Sequence, residues 1–121
     1  MTSPSTLTAL SPLDGRYHDK LAALRPLFSE YGLIRARLRV ELAWLQALAD
    51  RAGFAELAPF APTTREAIEH AVASFSESDA AAVKVIEART NHDVKALEYW
   101  LRQRFADNAQ VQGAAEFIHF A

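Results

Sequence analysis

The stretch SEYGLIRARLRVELAWLQALADRAG, residues 29–53, decides the fold. Ile34, Leu38, Leu45 and Leu48 recur at helical intervals, with Leu42 and Ala49 on the adjoining rows, so one side of a long helix is apolar. Charged residues fill the gaps, as an element with one face on a core requires. The spacing predicts a helix from about Ser29 to Ala52, stopped by Gly53 at the position after the C-cap. Arg35, Arg37 and Arg39 read as a solvated face with apolar stems. Glu41 falls on the apolar row and reads as a buried partner for an arginine.

The same pattern continues on both sides. Upstream, residues 1–19 read as irregular, with Ser3-Pro4, Ser11-Pro12 and a turn at Asp14-Gly15, followed by a short helix over 19–24 that Pro26 ends. Downstream, residues 54–62 form a connector carrying Pro59 and Pro62. Thr63 and Glu66 have capping-box spacing and open a helix to Phe75 with Ala67, Ile68, Ala71, Val72 and Phe75 on its stripe. Ser76 and Ser78 are the next cap candidates, before a helix over 80–88. After Thr90-Asn91-His92-Asp93, a helix resumes with Val94, Leu97, Leu101 and Phe105 on one face. Tyr99 and Trp100 divide between surface and core, and Asp107-Asn108 ends the element. Residues 114–121 read as the opening of another helix without a C-cap, its two phenylalanines uncovered, which predicts a chain that continues.

Runs of Val, Ile and Thr are missing, so the fold class is all-α. Composition narrows the function. In 121 residues, 50% are hydrophobic and 23% charged, as in ordinary globular chains. A net charge of −2 gives no electrostatic footprint for nucleic acid, and the absence of cysteine excludes disulfides and thiolate metal sites. No segment approaches the roughly 18 apolar residues of a membrane span, and no signal peptide is visible. A soluble, cytoplasmic protein is expected. His18, His70 and His119 lie far apart without ligand spacing, so no metal is expected. A Ser–His–Asp set and a glycine-rich phosphate loop are also missing.

Two short clusters carry chemistry. In Asp14-Gly15-Arg16-Tyr17, a glycine suited to positive φ would project an arginine fork beside a phenol, a pair able to hold a phosphate or carboxylate. The alternative is a surface turn with a solvated Arg16 and a packed Tyr17. In Thr90-Asn91-His92-Asp93, polar groups stand where a helix begins, and its open N–H groups favour an anion. His92 could donate there and Asp93 orient it. The alternative is capping alone, with Thr90 or Asn91 as the cap and His92 exposed.

Four segments in order resemble the adenylosuccinate lyase family of the aspartase/fumarase superfamily: residues 10–17, 28–33 followed by 40–45, 90–99 and 116–121. The resemblance implies the N-terminal helical domain of the L-aspartase-like fold over residues 1–111, and the start of a central helical bundle over 112–121. It also implies a homotetramer, no cofactor, and a carbon–nitrogen lyase that eliminates fumarate from adenylosuccinate, giving AMP, or from the succinyl-carboxamide ribotide of purine biosynthesis. Arg16, Tyr17, Asn91, His92 and Asp93 would contact the nucleotide. The family's threonine–serine motif, its general-acid histidine and its general-base serine would lie beyond Ala121. No catalytic residue is therefore expected within the 121 residues, and the chain alone should be inactive. Another fumarate-releasing lyase, or a non-catalytic helical module for oligomerisation, are the competing readings.

Overall fold

A computed structural model describes residues 5–51 and 53–120. The expectations placed on Ser3-Pro4, on a helix end at Ala52 and on Ala121 lie outside these residues. Every regular element among them is helical. The contacts divide the chain into two compact units, Met1–Leu33 and Ile34–Ala121.

In the first unit the backbone is organised by local hydrogen bonds. The Ser11 hydroxyl accepts from Leu13 N–H, and the Pro12 carbonyl accepts from both Gly15 and Tyr17 N–H. A 3-10 stretch, His18–Leu24, runs into a single α-turn, α1 (Arg25–Phe28), with Pro26 inside it rather than after it. Proline is tolerated there because the first-turn N–H groups need no intrahelical partner. Ser29 then caps the long helix α2 (Glu30–Arg51), its hydroxyl accepting from Gly32 N–H at 3.1 Å. Glycine is required at 32 by the tightness of this junction: a Cβ there would stand 2.5 Å from the Leu27 carbonyl oxygen.

The second unit holds the core. Ile34, Leu38, Leu42, Leu45, Leu48 and Ala49 are all buried, so the stripe read from residues 29–53 is the face α2 turns inward. Gly53 has φ +67°, the left-handed conformation expected after the helix. Leu57 and Phe60 anchor the connector in the core.

The next helix, α3 (Pro62–Ala73), begins two residues before the Thr63 box would place it, and no side chain caps it. Pro62 supplies a helical φ at the first position and pushes Ala61 to an extended ψ of 156°, so Ala61 takes the cap and Thr63 falls inside. Ile68, Ala71 and Phe75 are buried; Ala67 and Val72 are half-buried. Ser76 opens α4 (Glu77–Thr90) with a reciprocal box to Asp79, as one of the two serines was expected to do.

Helix α5 (Asp93–Arg104) packs along α4. Leu97, Leu101 and Phe105 are buried and Val94 is half-buried. Trp100 is buried against Phe75, edge to face at 5.4 Å, while Tyr99 is exposed. Glu98 is a buried carboxylate bonded to Lys95 at 3.1 Å and Arg102 at 2.9 Å.

Asp107-Asn108 does not end α5, which stops earlier, at Arg104 with Phe105 as its C-cap; Asn108 instead begins a new element. Its side chain accepts from Val111 N–H and opens a further short helix, α6 (Ala109–Gly113), which sequence periodicity is too short to reveal. Gln110 on α6 ties back to α3, its Oε1 accepting from Ala61 N–H at 2.9 Å and the Thr64 hydroxyl at 2.7 Å. Position 111, after which the resemblance begins a second domain, lies inside α6.

Residues 114–120 depart from the expected helix. A 3-10 turn, Ala115–Phe117, is followed by extended Ile118 and by His119 at φ 56°. Ile118 is buried, Phe117 is half-buried, and Phe120 stays exposed as expected. Phe54, Phe117 and Phe120 form a ring cluster with centroids 5.2–5.6 Å apart. Trp44 Nε1–H donates to the Phe120 carbonyl at 2.8 Å. Glu41 finds not an arginine but His119, Oε1 to Nδ1, at 2.6 Å.

Candidate functional site

The first cluster lies wholly in the first unit. Gly15 does not have a positive φ, so the reason offered for it in the sequence is replaced by another. An added Cβ would stand 2.9 Å from the Thr6 carbonyl oxygen and 3.2 Å from Ala9 Cβ, so glycine is needed for close approach of the chain to itself. Arg16 and Tyr17 follow on the exposed side of that corner. The Arg16 guanidinium lies 4.7 Å from the centre of the Tyr17 ring, and Lys20 Nζ lies 5.8 Å from it. Two cations and a phenol in reach of solvent can receive an anion, with the ring holding the arginine in place.

The second cluster lies in the second unit, where two helices meet with two residues between them. Asn91 closes α4 in the left-handed conformation at φ 53°, its N–H bonded to the Glu87 carbonyl at 2.7 Å. Asparagine tolerates this better than most residues because its short amide bonds locally. His92 then caps α5, so the cap is neither Thr90 nor Asn91: the imidazole Nδ1 accepts from Lys95 N–H at 3.1 Å. Thr90 bridges the turn, its hydroxyl donating to the His92 carbonyl at 3.1 Å.

Asp93 is the first residue of α5. Its Oδ1 accepts from Val94 N–H at 2.8 Å and its Oδ2 meets Arg37 of α2 at 2.7 Å. The Val94 hydrogen bond, with Arg37 and the neighbouring His92, holds the Asp93 carboxyl below the usual carboxylate range. The expected orienting role toward His92 is indirect, since the closest approach of Asp93 to the ring is 3.9 Å.

A hydrogen bond accepted at Nδ1 fixes the chemistry of the ring. A neutral imidazole carries one proton, and with Nδ1 accepting that proton is on Nε2. The His92 side chain is 61% exposed, so Nε2–H faces outward as a donor at the positive end of a 12-residue helix. The arrangement can bind an anion or a carbonyl oxygen; it is not set up to take a proton at Nδ1, because that would break the cap.

Arg37 is the residue sequence reading missed here, because it was placed on a solvated face. The available signal was its position beside the buried Ile34 and Leu38, on the flank of the stripe. Elsewhere, a groove of about 440 Å³ between α2 and α3 is lined by Arg35, Arg39, Gln46, Ile68 and Glu69, and none of the candidate residues reaches it. Among the described residues no three His, Asp or Glu side chains come together as a metal site. His18 pairs with Asp19 and His119 with Glu41.

No protein-family model matches the chain. Individual proteins do. A protein of Escherichia coli named adenylosuccinate lyase is 53% identical over 117 residues, 97% of this chain. Over nearly its whole length, this chain is similar to adenylosuccinate lyases. The enzyme of that name from Haemophilus influenzae is 51% identical over the same share, and that of Legionella pneumophila strain Corby 42%. The chain spans about a quarter, 26%, of the length of these adenylosuccinate lyases. At 97% coverage, the aligned part necessarily takes in at least one of the two clusters and most of the core.

Proposed function

We propose that the chain is the N-terminal, nucleotide-contacting part of an adenylosuccinate lyase, an enzyme that eliminates fumarate from adenylosuccinate to leave AMP. The carrying observation is 53% identity over 97% of the chain, joined to a candidate site built to donate rather than to abstract a proton. Arg16, beside Tyr17, would pair with phosphate or carboxylate. Asn91, His92 and Asp93 would form the second contact, with the His92 Nε2–H as donor and Asp93 as the acid that holds the turn.

β-Elimination needs a base for the carbon-bound proton and an acid for the leaving nitrogen. Neither cluster supplies such a pair within 121 residues, so catalysis would draw on groups that the remaining three quarters of the relatives' length provides. Residues 112–121 would then begin the central helical bundle, the assembly would be a homotetramer working in the cytoplasm, and the pathway would be purine biosynthesis. Among the described residues no helix is long and apolar enough to cross a membrane, which agrees with that setting.

The test is calorimetric titration of the 121-residue chain with AMP. Saturable binding that weakens about tenfold to a hundredfold in His92→Ala, the worth of one hydrogen bond to a charged group, supports the reading. Arg16→Ala should weaken it comparably. Absence of binding from the full-length lyase variant carrying both substitutions, with affinity in its unsubstituted parent, supports it equally; unchanged affinity in that double variant refutes it.

A further inference from the structure

His92 Nδ1 stands between two partners that demand opposite proton positions. Lys95 N–H, at 3.1 Å, needs a lone pair on Nδ1. Asp93 Oδ1, at 3.9 Å, would instead be satisfied by a proton there. The two arrangements exclude each other, and an unopposed carboxylate beside an imidazole ordinarily wins the proton.

Here the carboxylate is opposed. Arg37 NH1 holds Asp93 Oδ2 at 2.7 Å, and Val94 N–H holds Oδ1 at 2.8 Å, so both oxygens are engaged away from the ring. The other cation close by, Lys95, is committed to Glu98 at 3.1 Å and lies over the Tyr99 ring at 5.3 Å. Arg37 is thus the side chain that decides whether Asp93 competes for His92.

We propose that Arg37 is a positioning residue: by holding Asp93 it keeps His92 in the Nε2–H tautomer, so the ring offers a ligand a donor rather than a base. Arg37 acts from α2, more than fifty positions away in sequence, and touches no ligand itself. Loss of Arg37 leaves Asp93 Oδ2 unheld, so the carboxylate can turn onto the ring; Nδ1 then takes a proton, the Lys95 cap is lost, and Nε2 becomes an acceptor or the ring becomes cationic. The consequence for an anionic ligand rests on the function proposed above; the tautomer itself does not.

Long-range proton–nitrogen correlation spectra of the imidazole in the ligand-free, 121-residue chain test this directly. The unsubstituted chain should show a protonated Nε2 and an unprotonated Nδ1. Arg37→Ala should move the Nδ1 resonance upfield toward a protonated nitrogen, and Arg37→Lys, which keeps a cation, should largely restore it. The deciding variant is Arg37→Ala with Asp93→Ala, which removes the competitor as well and should return the ring to the Nε2–H form. An unchanged ring in Arg37→Ala overturns the proposal. So does a double variant as altered as the single one, which would mean that Arg37 merely supports the start of α5. If Arg37→Ala does not fold by circular dichroism, Arg37→Gln keeps the stem without the charge and is read the same way. Failure of the AMP titration alongside a tautomer switch would overturn the ligand assignment and leave the role of Arg37 standing.

Discussion

Residues 5–33 and residues 34–120 use the same kinds of side chain to different ends. Leu7, Leu10, Leu13, Leu24, Leu27 and Phe28 are all exposed, Leu10 completely, whereas Leu38, Leu42, Leu45, Leu97 and Leu101 are buried to within about a hundredth of their surface. The early segment places its apolar residues irregularly between prolines and serines, so no element presents a continuous face. Its shape comes instead from short-range hydrogen bonds such as those to Ser11 and Pro12. The later segment repeats its apolar residues at the helical period, and that period is what assembles a core. Hydrophobic content alone therefore does not tell the two apart; spacing does.

The sharpest way to break this comparison is a paired truncation. Leu45→Ala, at a fully buried position, should cost about 2–5 kcal/mol in urea unfolding, whereas Leu10→Ala should stay within about 0.5 kcal/mol. Comparable losses at the two sites would mean that the first segment is packed in solution.

A second difference is electrostatic. Burial pushes the Glu98 carboxyl up, but the hydrogen bonds and charges of Lys95 and Arg102 outweigh it and hold it below the usual range. Asp50 is held low by its hydrogen bonds to Arg65, and Asp93 by Val94 and Arg37. All three carboxylates lie in the second unit. A carboxylate with a depressed folded pKa stabilises the fold fully above its unfolded value, near 4. That contribution is lost as pH falls through the lower folded value. Unfolding midpoints measured between pH 7 and pH 2 should therefore fall with acid below about pH 4.5, and Glu98→Gln should flatten the slope while lowering stability at pH 7. A slope unchanged by Glu98→Gln would remove that carboxylate from the account.

The smallest expected effect is at Glu41–His119. Glu41→Gln should speed amide exchange around Ile118–Phe120 and shift Trp44 emission while barely moving the global midpoint, since the histidine is 55% exposed. A large drop in the midpoint would show that residues 114–120 belong to the cooperative core.

What was legible in the sequence follows from the range over which each feature is determined. The α2 stripe, the Ser76 cap and the Tyr99–Trp100 division depend on neighbours within two turns, and each stands where it was read. The Thr63 box failed because Pro62 imposed a stronger local preference one residue earlier. Helix α6 escaped because five residues cannot display a period. The Phe54–Phe117–Phe120 cluster and the Glu41–His119 pair join positions more than sixty apart, and no spacing rule reaches that far. At the candidate site, the polar residues between α4 and α5 were visible as an interruption. The cap made by His92 itself and the Arg37–Asp93 pair needed the register of α2 against α5.

The ring of His92 serves as the cap of α5, and this sets two demands on one residue. Serine, threonine, aspartate or asparagine at position 92 would satisfy the open N–H groups at least as well as an imidazole. A screen for heat resistance would therefore enrich those substitutions, and each would delete the outward Nε2–H. Position 92 is one where selecting for robustness and selecting for ligand recognition would pull the population in opposite directions.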